Sequence, residues 1–422
     1  MLMRGQSTLS PRRVKFDGSL HEFSECVSII RMNNSRPSLR VIHLLMVLVL
    51  LTTLTSAASA ADKYLFYVGT ENTRSKGIYA YRFDSSTGES TPLGLAAETT
   101  NPSFLALHPN GKYLYAVNEV EKYQGENSGG VSAFSIDRAT GKLTFLNEVP
   151  SRGADPCYVI VDAEGKHVLV ANYTGGSVAV FPVLEDGRLR EATTLVQHHG
   201  HGANPQRQEG PHPHSIDLSP DKRHAYVDDL GLDELLIYDY HPGKDRLLGP
   251  DNPPFAKFDA GAGPRHFALH PSGRLAYVVA EMASTVSAFS VDLKTGTLNR
   301  LQTISTLPTD FKAQNDDAEI QIHPNGKFLY ASNRGHDSIA VFSIDPARGV
   351  LTKVADVLTQ GKIPRSFEID PTGTYLLAEN ERSDNIVVFR IDESTGGLTP
   401  TGQKLDVPSP VCVKFLKVPV MK

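Results

Sequence analysis

The sequence predicts an all-β protein: a seven-bladed β-propeller of four-stranded antiparallel blades, closed by a C-terminal strand that completes the first blade. Three observations predict it. First, a pattern recurs about every fifty residues, and repeats of roughly 40 to 50 residues built from short strands signal propeller blades. In each repeat a proline or its substitute leads into a short apolar run and a Pro/Asp-x-Gly turn, followed by a second run ending near Asn and a third ending in Phe or Tyr. Second, the turn glycines Gly111, Gly165, Gly273, Gly326 and Gly373 fall into register, with Asp221-Lys222 filling the same slot between the second and third. Third, the two ends of the repeat region complement each other. Lys63-Tyr64-Leu65-Phe66 matches the second strand Lys112-Tyr113-Leu114-Tyr115, whereas Pro410 to Phe415 matches the first strand that starts at Pro102. Joining the two fragments makes one blade, removes an open sheet edge and brings six full repeats to seven.

The first sixty residues stand apart. Arg36 and Arg40 precede the apolar run Leu44 to Leu51, and Ala58-Ser59-Ala60 forms an A-x-A site, so residues 1–60 read as a leader with a secretory signal peptide cleaved before Ala61. Its apolar core of about 12 residues falls short of the roughly 20 that a permanent spanning helix needs. No stable membrane span is therefore expected once the leader is removed, and an exported location is expected if it functions, a cytoplasmic one if not. Met32 sits just ahead of the basic flank and is an alternative start. The propeller is expected over residues 61–422. The chain carries a net charge of −5, and the leader is basic, so the domain is more acidic still. That balance excludes a general nucleic-acid binder. Cys157 and Cys412 fall in first strands of blades that are not neighbours, so no disulfide is expected between them.

Counting back eight residues from each turn glycine reaches Ser103, Cys157, His214, Arg265, Ala318 and Arg365, the start of each innermost strand. Counting back nine from the aromatic that ends each third strand reaches Asn172, Asp229, Ala280, Asn333 and Asn380. Asn or Asp there suits a tight connection whose backbone it can bond. The residue after it varies: Tyr173, Leu230, Glu281, Arg334 and Glu381. Both aligned positions belong on one face of a propeller, at the mouth of its central channel. The residues that break the repeat there are His214, Arg265 with His266, Glu281, Arg334 and Arg365.

Their chemistry is mutually consistent. Arginines hold a carboxylate or phosphate bidentately and stabilise an oxyanion, and a His beside a Glu can move protons. Such a set suits acyl or lactone chemistry on a small anionic molecule. The histidines of His198-His199-Gly200-His201 match no standard zinc spacing and have no interleaved Cys or acid, so no metal and no other cofactor is expected. No G-x-S-x-G elbow, phosphate-binding glycine loop or H-E-x-x-H is present. The polar insertion from Glu121 to Gly130 reads as a rim loop or a lid.

Several motifs resemble the seven-bladed lactonase family, which includes propeller-type 6-phosphogluconolactonases and 3-carboxy-cis,cis-muconate lactonizing enzymes. They are Arg207-Gln208-Glu209-Gly210-Pro211-His212-Pro213-His214, Gly263-Pro264-Arg265-His266, Asp229-Leu230-Gly231-Leu232-Asp233 and Ser332-Asn333-Arg334-Gly335-His336-Asp337. The resemblance implies a site of His214, Arg265, Glu281 and Arg334, and His212, His266 and Arg365 beside them are expected to contact substrate; which of His212 and His214 is catalytic stays open. It implies hydrolysis of a sugar δ-lactone, with His214 or Glu281 activating water, Arg265 stabilising the oxyanion, and Arg334 and Arg365 anchoring an acidic tail. The alternatives are a muconate-type cycloisomerase and a non-catalytic exported propeller. The expected partner is a small anionic lactone, and the expected state a monomer or weak dimer.

Overall fold

The computed structural model describes residues 63–418 except 72–73, 245 and 251–253, so the leader expected over residues 1–60 lies outside the described residues. The described chain forms seven sheets. Blade 1 holds Lys63–Thr70, Gly77–Asp84 and Glu89–Glu98, with Pro410–Val418 as its innermost strand. Blades 2 to 7 follow over residues 105–150, 156–197, 213–257, 264–305, 316–358 and 364–406. Each runs antiparallel from the channel outward; in blade 4 the outer strand is split into Leu248–Gly249 and Phe255–Lys257. Within the described residues the sole helical element is the short 3₁₀ turn Glu381–Ser383.

The closure read from the two chain ends is present. Lys63–Thr70 pairs antiparallel with Pro410–Val418, from Lys63 opposite Val418 to Val68 opposite Val413. Aromatic packing fastens it: the buried Phe66 ring stacks on Tyr81 at 4.8 Å and meets Phe415 at 5.4 Å.

A second device joins three of the blades to the next. His108, His270 and His323, at or just past the ends of innermost strands, place Nε2 at 2.9, 2.9 and 2.7 Å from the carbonyls of Gly165, Gly326 and Gly373. A carbonyl only accepts, so Nε2 carries the proton and Nδ1 accepts from the backbone N–H of Asn110, Ser272 and Asn325. These are the turn glycines of the repeat. At Gly165 the backbone is left-handed (φ 69°), and a Cβ would lie 2.2 Å from the His108 ring. Glycine is thus required twice over. Lys222, which takes the glycine slot in blade 4, adopts the same conformation at φ 59°.

The innermost strands aim particular side chains into the channel by a shared irregularity. In blades 1, 3, 4, 5 and 7 the pairing skips one residue, namely Val411, Cys157, His214, Arg265 and Arg365. In blade 6 it skips Ala318 and Glu319. A β-bulge leaves the extra residue unpaired and re-aims its side chain. The aligned position is therefore the bulge position. Cys157 and Cys412 are both free and buried.

Phe66→Ala would remove the ring at the centre of the closure, and truncation of a buried Phe costs about 3–5 kcal/mol. Chemical denaturation should show that loss with an unchanged denaturant slope; a loss below about 1 kcal/mol would mean that the closure contributes little.

Candidate active site

The motif segments are fastened to one another before any side chain reaches the channel. Asp233 Oδ1 accepts from Gln208 Nε2 and from the Gly263 backbone N–H, each at 2.8 Å. One carboxylate thus holds both the loop bearing Arg207 and the lead-in to Arg265. Asp337 repeats the device two bulges later, accepting from the Ile363 N–H at 2.8 Å ahead of Arg365. Asp229 Oδ1 accepts from the N–H groups of His212 (2.7 Å) and Gly231 (3.0 Å), bonding the turn as the sequence suggested. Asn172 and Asn333 differ: their amides donate to Ser177 and Ser338 Oγ on the following strand, at 3.1 and 3.2 Å.

Two rings of residues surround the mouth. The bulge ring runs Val411, Ser103, Cys157, His214, Arg265, Ala318, Arg365 through blades 1 to 7. The residues at or just after the ends of the second strands form the other: Glu71, Glu119, Tyr173, Leu230, Glu281, Arg334, Glu381. On blades 4 to 6 the charges centre on Glu281, whose side chain is only 5 % exposed. Its Oε2 lies 2.9 Å from Arg265 Nε and 2.7 Å from Arg334 Nη2, and its Oε1 takes Arg207 Nη2 at 2.5 Å. Burial pushes this carboxyl up, but Arg334, Arg265 and Arg207 together hold it down at about 2. Glu281 is a permanent anion with both oxygens occupied. The excess positive charge is partly offset by Asp316, 4.0 Å from Arg207 Nη1.

Arg265 is buried, donates from Nη1 to the Ala318 carbonyl at 2.7 Å and lies 3.3 Å from His266 Nε2. Burial and Arg334 pull its guanidinium down to about 10, so it stays charged. Arg334 also donates to the Asp317 carbonyl at 2.9 Å. The His214 ring stands edge-on to Tyr173 and to His266, with centroids at 5.4 and 5.1 Å, and its Nδ1 is 3.7 Å from Cys157 Sγ. Burial, then Arg265 and His266, hold His214 well below the ordinary imidazole range, so it is neutral. His212 lies nearer the rim, stacked on Tyr173 at 4.5 Å, with Nδ1 3.1 Å from the Tyr173 carbonyl and Nε2 3.3 Å from Glu209.

The structure thus brings His214, Arg265, Glu281 and Arg334 together, with His212 beside them. Two expected substrate contacts, His266 and Arg365, stand by Arg265 with their polar atoms already engaged by other side chains. His266 sits behind Arg265, only 3 % exposed, packed against Phe104 and Tyr158 with Nδ1 on Glu319 at 3.2 Å. Burial and Arg265 pull it down to about 4. Arg365 faces the other side of the mouth, with Nε 3.3 Å from Glu71 and Nη2 3.8 Å from Glu119. His198, from the histidine-rich loop, is buried and structural: Nδ1 meets Asp229 at 2.6 Å and Nε2 the Tyr238 hydroxyl at 3.1 Å.

Arg207 escaped selection because it lies outside both aligned positions, in the loop before a first strand; its place in the R-Q motif was the available signal. Glu71 escaped because the connection from Thr70 to Gly77 is longer than in blades 3 to 7, which breaks the count back from the third-strand aromatic in blade 1. The insertion between Asn118 and Gly130 also breaks the count from the third-strand aromatic in blade 2.

Glu281→Gln gives a pH test of this centre. A carboxyl held at about 2 in the folded protein stabilises it above the unfolded value near 4.5, and that contribution disappears as pH falls toward 2. The shift corresponds to about 3 kcal/mol. The stability gap between wild type and E281Q should therefore shrink by about that amount from pH 6 to pH 2 in denaturant titrations; a gap independent of pH would contradict the assignment.

Comparison with known proteins adds the lineage. The family model for the 7-bladed beta-propeller lactonase matches residues 65–415. A Bacillus subtilis protein named 6-phosphogluconolactonase is 40% identical over 355 residues, covering 84% of this chain and 99% of the relative. A crystal structure of the Pseudomonas aeruginosa periplasmic gluconolactonase is 33% identical with a TM-score of 0.79, spanning 85% of this chain and 100% of that one. A Bacteroides fragilis structure named for 6-phosphogluconolactonase is 38% identical at the same TM-score, spanning 85% of this chain and 99% of that one. The chain belongs to the seven-bladed β-propeller lactonase family.

Proposed function

We propose that the protein hydrolyses a sugar δ-lactone bearing an anionic substituent, in the manner of a 6-phosphogluconolactonase. The observation that carries this reading is the convergence of three guanidiniums on one buried carboxylate at the channel mouth. Arg207 and Arg334, with side chains 38% and 13% exposed, are the accessible members. They anchor the phosphate or carboxylate of the substrate, a role the sequence had shared between Arg334 and Arg365. Arg365 is already matched by Glu71 and Glu119.

Arg265 is fixed by its bulge, the Ala318 carbonyl and Glu281, so it meets a developing oxyanion without reorganising. Glu281 acts by orienting the three arginines; a carboxyl held at about 2 is a poor acceptor of a proton from water. Neutral His214 hydrogen-bonds the substrate at the channel edge. The lactone supplies its own activated ester, so clamp, oxyanion donor and one base suffice.

A leader over residues 1–60 favours a lactone met outside the cytoplasm, and the Pseudomonas relative carries a periplasmic gluconolactonase name. The substrate is therefore of the aldonolactone class, with or without phosphate. Purified protein should open 6-phosphogluconolactone or glucono-δ-lactone far above the spontaneous rate, with carboxymuconate as the comparison for lactonization. Arg265→Ala should lower kcat by about 10²–10³. Arg207→Ala should raise KM for the phosphorylated lactone by roughly 10- to 100-fold, as expected for a lost charge-assisted bond. Unchanged kcat in R265A, or no opening of either lactone by wild type, would overturn the reading.

A further inference from the structure

Opposite the Glu281 centre, the mouth carries its electrostatic inverse. On blades 7, 1 and 2 a single guanidinium, Arg365, faces three carboxyls: Glu71, Glu119 and Glu381. Glu119 follows the second strand of blade 2 and is the register counterpart of Glu281. Its Oε1 lies 3.8 Å from Arg365 Nη2 and its side chain is 17% exposed. Its Oε2 and the hydroxyl of Ser103, a residue 4% exposed, lie near each other, and neither makes a well-formed hydrogen bond to any described residue.

Both residues line a small chamber at the channel, together with Cys157, Arg265, His266, Arg365 and Glu319, whose carboxylate is already taken by His266 at 3.2 Å and Ser366 at 3.3 Å. Its volume is about 10 Å³, on the order of one water molecule. A polar cavity of that size beside unpaired oxygens and guanidiniums is where a water is held, since unsatisfied buried polar groups are costly. The chamber lies directly against Arg265, the residue placed to meet an oxyanion.

We propose that this chamber holds the hydrolytic water and that Glu119 is the base that takes its proton. The inference rests on the lactonase reading and names the proton acceptor that reading lacks. The water O–H bond breaks, its proton passes to the Glu119 carboxylate, and the oxygen bonds to the lactone carbonyl carbon. The carbonyl π pair moves onto the oxygen that faces Arg265. When the tetrahedral centre collapses, the ring C–O bond breaks and Glu119 returns the proton to the departing ring oxygen. Atoms and charge balance with water as the only co-reactant.

The surroundings of Glu119 suit a group that must both take and give a proton near neutrality. Arg365 of blade 7 faces it, as do Glu71 of blade 1, Asp155 before blade 3, the Cys157 thiol and Ser103 of its own blade. Burial raises the carboxyl, Arg365 lowers it and Glu71 raises it again, for a net position at about 7. Glu281 and Glu119 occupy equivalent register positions, yet their environments drive them to opposite ends of the carboxyl range, the pattern that separates a fixed charge from an acid–base group.

The test is Glu119→Gln assayed on whichever aldonolactone the wild type opens. The kcat of E119Q should fall by about 10²–10⁴ with KM within threefold, and the rising limb of kcat with pH near neutrality should vanish. Glu119→Asp should restore part of the rate and the limb, which a merely structural lesion would not do. Infrared difference spectra of wild type, taken across pH 5 to 9, should show a protonated carboxyl band titrating near neutrality that is missing from E119Q. An active wild type with E119Q within threefold of its kcat, or a persisting limb, overturns the role of Glu119 and leaves the lactonase reading intact. A wild type that opens no lactone overturns both, whatever the infrared spectra show.

Discussion

The site depends on one buried carboxylate that holds three guanidiniums in place. Glu281 accepts contacts from Arg207, Arg265 and Arg334, which come from a loop, a bulge and a strand end in three different parts of the sequence. Without that anion, like charges would be buried close together in a medium where their repulsion is poorly screened. With it, the mouth keeps a fixed positive field on one side whose members are pre-aimed. Breaking such a cluster by removing its centre is far more damaging than its net contribution to stability suggests, because the partners are left unpaired.

The propeller makes this arrangement possible through repetition with local exceptions. Six of the seven innermost strands enter the channel through a bulge, and Ser103 takes the aligned place in blade 2, so seven backbone positions offer a side chain to the same mouth. Most of the fold is concerned with locking blades together, as in the histidine contacts to turn glycines and the reach of Tyr115, Tyr277 and Tyr330 to the carbonyls of Gly187, Gly349 and Gly396. With the scaffold fixed in that way, the residues of the two rings at the mouth are free to vary in type. They do so in two opposed groups, an arginine-rich arc on blades 4 to 6 and a carboxyl-rich arc on blades 7, 1 and 2. A molecule spanning the channel would lie along that gradient, its anionic end on one arc and its hydroxyls on the other.

Much of this was legible in the sequence because propeller register is local. The spacing from Gly273 to Arg265 or from Gly165 to Cys157 is set by one hairpin, and Lys222 betrays its role by filling a slot that demands a left-handed backbone. That arithmetic located His214, Arg265, Glu281 and Arg334. It did not reveal what the four do to one another. The role of Glu281 as a base was plausible from residue type alone, and only the convergence of Arg207 with the other two arginines removes it. His266 and Arg365 show the same limit: adjacency to the mouth in sequence does not say which way a side chain is already satisfied. Glu119 was hidden by the insertion after Asn118, which shifts every count made from the third strand. Anchoring on the Asn that ends the second strand would have exposed it.

The most direct measurement is a crystal structure with the hydrolysis product of the proposed reaction, 6-phosphogluconate, bound at saturating concentration. The account predicts density across the channel mouth, with the phosphate on Arg207 and Arg334 and the new carboxylate against Arg265, its oxygen directed toward Glu119. Density on the opposite rim, between blades, or with the carboxylate turned away from Arg265 would contradict it.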